Sequence, residues 1–114
     1  MTLFRGFLTV MWLILLVYTM VVIANHGANL IPIFLGDMMA MAWPGQFNLD
    51  FMGFLLLSAL WTAWRSKFSA GGLLLALVAA FGGIMFLAAF LLYLSFKTGG
   101  DMEAILMGDR KRPA

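Results

Sequence analysis

The sequence predicts an all-α integral membrane protein: three transmembrane helices, with a short interfacial or re-entrant helix between the first and second. Three observations carry that expectation. Of 114 residues, 64% are hydrophobic and only 11% charged, whereas a soluble domain needs roughly 25% charged residues to face water. The apolar residues gather into three long runs, and a helix of about 20 residues crosses a hydrocarbon core of about 30 Å. The seven Lys and Arg stand at the ends of those runs, at the depth of lipid headgroups.

The first run extends from Phe4 to Ala24, with Arg5 its only charge. A positive start before an apolar run also describes a secretory signal peptide. However, the uninterrupted stretch from Phe7 to Ala24 exceeds the usual apolar region of about 7–15 residues. No clean A-x-A cleavage site follows, although Val22-Ile23-Ala24 imitates one. A retained helix is the expectation, and a cleaved signal the alternative.

Residues 25–48, "NHGANLIPIFLGDMMAMAWPGQFN", are apolar but interrupted by Pro32, Gly36, Asp37 and Pro44. The longest candidate span there, Ala28 to Trp43, has 16 residues, which is short for a crossing. A short helix in the interface or dipping into the bundle is expected, with Trp43 at headgroup depth. A fourth crossing is the alternative.

The second run extends from Pro44 to Trp64. Proline is tolerated in a helix's first turn, where its missing N–H has no intrahelical acceptor to satisfy. The third extends from Ala70 to Phe96, longer than the span requires, so it can tilt or emerge. Lipid offers no partner for open backbone groups, so these runs must be helices, and no β-barrel period is present. Residues 1–98 therefore form one transmembrane domain. The tail, 99–114, opens on Gly99-Gly100, a helix stop. Met102, Ile105 and Leu106 then recur at helical spacing, followed by Arg110-Lys111-Arg112. A short surface helix or a frayed tail fits that pattern.

Positive-inside counting nearly ties. The 25–48 segment has no Lys or Arg, which places it outside, while Arg65 and Lys67 place the turn after the second run inside. With three spans and the N-terminus in, Arg5, Arg65 and Lys67 are inside, and Lys97, Arg110, Lys111 and Arg112 are outside. Four spans would improve the count but need the weak segment. The expected arrangement is N-terminus in and C-terminus out. Trp43, Trp61, Trp64, Arg65 and Lys67 serve as interface anchors.

Function classes narrow by elimination. With no cysteine, thiolate metal sites, disulfides and cysteine nucleophiles are excluded. The net charge of +2 follows headgroups rather than tracing a phosphate-binding stripe, so nucleic acid is not an expected partner. No nucleophile elbow, phosphate-cradling glycine loop or H-E-x-x-H motif is present, and no catalytic residue, cofactor or metal is expected. Three polar residues remain. Asp50 lies about 9 Å inside the second run, at a cost below the roughly 2.5–3.5 kcal/mol of mid-bilayer. It is expected to face the bundle or a wet vestibule. With His26, the only histidine, and Asp37, it falls at one membrane face. Together the three could form a proton, ion or amphiphile site, or merely a hydrogen-bonded lid. In the third run, Gly72, Ala76, Ala79, Ala80 and Gly83 form a small-residue stripe of the kind that lets helix backbones approach in lipid. That stripe could pack within the chain or against another.

The "NHG" at 25–27, with "WPGQFNLDF" and "LSALWTAWR", resembles a family of small uncharacterised bacterial inner-membrane proteins. Their pattern is a first span, a His-Gly, an amphipathic stretch, a Phe-x-x-Asp opening the second span, and a third span. The likeness covers roughly residues 20–96 and matches at His26, Gly27, Phe47 and Asp50. It implies a bacterial cytoplasmic membrane and carries no activity; Trp61, Trp64 and the basic tail depart from it. The expected function is a non-enzymatic structural or accessory subunit of a membrane assembly, with other membrane chains or a homo-oligomer as partners. The alternative is a small carrier or receptor using His26, Asp37 and Asp50.

Overall fold

The computed structural model describes residues 1–111; Arg112, the last of the expected basic run, lies outside them. The order is α1 (Thr2–His26), α2 (Leu30–Met39), α3 (Trp43–Arg65), α4 (Ala70–Lys97), α5 (Met102–Met107) and a 3-10 turn, Gly108–Arg110. α1, α3 and α4 are long and apolar enough to cross a membrane. Their bounds fall within two residues of the three apolar runs. α2, at ten residues, is about 15 Å long, too short to cross.

Local chemistry sets the ends. α1 stops at Gly27, whose φ of 79° lies where L side chains are strained. Pro44 sits in the first turn of α3, as its missing N–H demands. Ser69 caps α4 by accepting a hydrogen bond from the Gly72 N–H at 3.1 Å. Asp101 does the same for α5 through the Glu103 N–H at 3.1 Å. Such caps satisfy N–H groups that a helix cannot satisfy itself.

α4 is not straight. Gly83 leaves the helical region, with φ 54° and ψ −138°, and the chain turns back on itself there. Neighbours along α3 trace the path. Gly72 lies against Ser66 at the end of α3, and Gly83 against Phe51 near its start. Phe90 then returns to Trp61, with ring centroids 6.0 Å apart. The descending arm also runs along α1. The Trp12 indole N–H donates to the Met85 carbonyl at 2.9 Å, and the Arg5 Nε–H to the Ser95 hydroxyl at 2.9 Å. α4 is thus a helical hairpin of two arms, 70–82 and 84–97, each about 20 Å long. Both α1 and α3 pack on it.

The reversal moves the end of α4 to the start of α1. Gly100 approaches the Met1 side chain, so these segments lie at the same end of the fold, where three straight spans would have set them at opposite ends. A straight α4 would have kept them apart; one glycine in a conformation closed to other residues brings them together. The tail is corrected too. Ile105 is fully buried with Phe90 and Leu94, so α5 is docked against the hairpin rather than lying on the surface.

Candidate functional site

Two polar regions stand at opposite ends of the molecule. At one end, Arg5, Arg65, Lys67, Lys97, Arg110 and Lys111 surround the tips of α1, α3 and α4, with Asp101, Glu103 and Asp109 among them. Arginines hold this end together. Arg5 donates through Nη2 to the Ser95 carbonyl at 2.8 Å and lies 4.1 Å from the Phe96 ring centroid. Arg65 donates to the Ile105 carbonyl at 3.0 Å and to the Ala104 carbonyl at 3.3 Å. Arg110 donates to the Trp64 carbonyl and lies 4.7 Å from its ring centroid. A planar guanidinium with five donors suits this combination of stacking and carbonyl binding.

Trp61 and Trp64, expected as lipid anchors, are therefore also part of the clasp on the tail. The Trp61 indole N–H donates to the Leu106 carbonyl at 3.0 Å. Trp43, at the other end, is 73% exposed. Lys111 pairs with Asp101 at the rim. That hydrogen bond holds the Asp101 carboxyl below the usual carboxylate range and pushes the Lys111 amine above the usual lysine range.

The other end carries His26, Asp37 and Asp50 and, among the described residues, no Lys or Arg. His26 is exposed in the last turn of α1. Asp37 is partly buried, because the backbone of α2 packs tightly on α3: a Cβ on Gly45 would sit 2.3 Å from the Asp37 carbonyl oxygen. The Asn48 side chain donates to the Phe34 carbonyl at 3.2 Å and fixes the same pairing. Asp50 is exposed. It projects from α3 about 200° around the axis from Asn48, away from the face that packs on α2 and α4. Of the two settings expected for it, the bundle or a wet vestibule, the first is corrected: the helical phase set by Gly45, Asn48 and Thr62 turns it outward. Among the described residues, no three His, Asp or Glu are grouped to hold a metal. Nor do His26, Asp37 and Asp50 hydrogen-bond to one another.

Three residues of the small-residue stripe have neighbours within the chain. Gly72 meets Ser66, Ala79 is fully buried, and Gly83 meets Phe51 and Leu55. Alongside it, an open apolar groove of about 490 Å³ lies between α3 and the descending arm, lined by Phe51, Leu55, Ser58, Trp61, Ile84 and Leu87 among others. The Ser58 hydroxyl oxygen is buried with no hydrogen-bond partner among the described residues.

Sequence reasoning missed the Arg5–Ser95 clasp and the Gly83 reversal. The second had a signal: Gly82-Gly83 interrupts, at its middle, a run longer than one crossing requires. No family model, curated protein or solved structure matches the chain.

Proposed function

We propose that this chain is a non-enzymatic accessory subunit of a bacterial inner-membrane assembly. On this reading it crosses the bilayer twice, through α1 and α3, while the α4 hairpin enters and leaves from one face. The cationic end is cytoplasmic. The observation that carries the reading is the gathering of six Lys and Arg at the end opposite His26, Asp37 and Asp50, which turns a tied positive-inside count into a one-sided one. Arms of about 20 Å support a re-entrant α4, since each is too short for the hydrocarbon core. Such a hairpin is tolerated where its bend packs on protein, and Gly83 lies against Phe51 and Leu55 of α3. The subunit role is supported by the apolar surface left uncovered on α1 and α3, where Ile14, Val17, Tyr18, Phe54 and Leu57 are each at least 60% exposed. A carrier role for His26, Asp37 and Asp50 finds no support in their placement.

Single cysteines at positions 29, 67 and 103, probed with an impermeant thiol reagent in intact cells, test this arrangement. Position 29 should label from outside, and positions 67 and 103 only after permeabilisation. Labelling of position 103 from outside would mean a crossing α4 and would overturn the topology.

A further inference from the structure

We infer that the groove between α3 and the descending arm of α4 holds one acyl chain of an acidic phospholipid of the cytoplasmic leaflet, with the lipid phosphate on Arg65. The inference rests on the re-entrant α4 of the reading above and names a ligand for the hollow beside it. Both walls are apolar, with Phe51, Leu55, Ser58 and Trp61 on α3 facing Ile84 and Leu87 on α4. The volume, about 490 Å³, falls among small-ligand sites of roughly 300–1,000 Å³. From Phe51 to Trp61 the groove runs about 15 Å along α3. That is half of a hydrocarbon core of about 30 Å, the depth of one leaflet. The bend at Gly83, against Phe51, marks its deep end.

The shallow end carries a charge. Arg65 follows Trp61 by about one helical turn on the same side of α3. Its guanidinium lies 5.8 Å from the Trp61 ring centroid and 5.6 Å from that of Phe90. It donates through Nε to the Ile105 carbonyl and through Nη2 to the Ala104 carbonyl. Among the described residues Nη1 has no acceptor, and no carboxylate forms an ion pair with Arg65; Asp109 acts on it from further away. Lys67 is exposed two residues on, and six cations face only Asp101, Glu103 and Asp109 at this end. An apolar face alone takes any lipid, and a surface cation alone takes any anion. A guanidinium at the mouth of a groove one leaflet deep selects a phosphate joined to a hydrocarbon chain.

The probe is phosphatidylglycerol carrying a diazirine at the end of one acyl chain, photolysed with the full chain in mild detergent. Insertion should map to residues 51–58 and 84–87, several times more than to Ile14 and Val17 on the exposed face of α1. Unlabelled phosphatidylglycerol should compete roughly fivefold better than phosphatidylcholine, as one cation near a headgroup provides. Arg65→Gln should erase that preference and Arg65→Lys should keep it. Both variants lose the guanidinium fork on Ala104 and Ile105, so a loosened tail alone would affect them equally. Insertion spread evenly over α1 and the groove, equal competition by the two lipids, or a preference that survives Arg65→Gln overturns the inference. The map and competition of the unsubstituted chain decide it even if neither variant folds. If positions 29, 67 and 103 label as above while insertion is even, this inference falls alone and the topology stands.

Discussion

At the cationic end, Arg5, Arg65 and Arg110 each donate to a backbone carbonyl of a different segment. At the other end, α1 has no buried residue after Leu8, and α2 is held to α3 by one side-chain hydrogen bond and a glycine contact. The same apolar composition builds both. What differs is cross-chain hydrogen bonding, which lipid cannot supply and which therefore has to come from the protein. Side-chain hydrogen bonds between distant segments are concentrated at the cationic end.

The largest blow to that contrast should come from Gly83→Leu. A side chain there must adopt a positive φ and displace Phe51 and Leu55, together costing about 2–5 kcal/mol. Thermal unfolding in mild detergent should show a large loss, whereas Gly27→Ala, also at positive φ but in open space, should lose only the backbone part. Next comes Arg5→Leu, which deletes both donors to Ser95 and the stacking on Phe96. It should cost about 2 kcal/mol and speed hydrogen exchange at the ends of α1 and α4. At the other end, Val17→Ala on the exposed face of α1 should change stability by no more than about 0.5 kcal/mol. A loss as large as that of Arg5→Leu would mean both ends are equally braced.

The smallest effect should come from pH. Asp101 is depressed in the folded chain, so its contribution is present above the ordinary carboxylate range and is lost as pH falls through its lowered value. Lys111 is raised, so its contribution is present below the ordinary lysine range and is lost as pH rises through its raised value. Between these limits the tail should be held most firmly. Trp61 and Trp64 fluorescence should report slight loosening at both extremes, and salt should blunt it because the pair is exposed. A response at neutral pH instead would assign the clasp to another group.

Composition and periodicity alone determined that the chain is helical, apolar and membrane-sized, because those are sums over many residues that no single contact can reverse. They located the ends of α1, α3 and α4 for the same reason, through Pro44 and the charges at the termini of each run. The path of α4 was another matter. Gly83 reads the same on paper whether it packs against a neighbour or turns the chain, and only the Phe51 and Trp61 contacts distinguish the two. The direction of Asp50 likewise depended on which face of α3 the glycine at 45 gave to α2. Tertiary structure decided these points because a helix has many faces of similar hydropathy in lipid. Packing and hydrogen bonds between segments far apart in the chain choose among them.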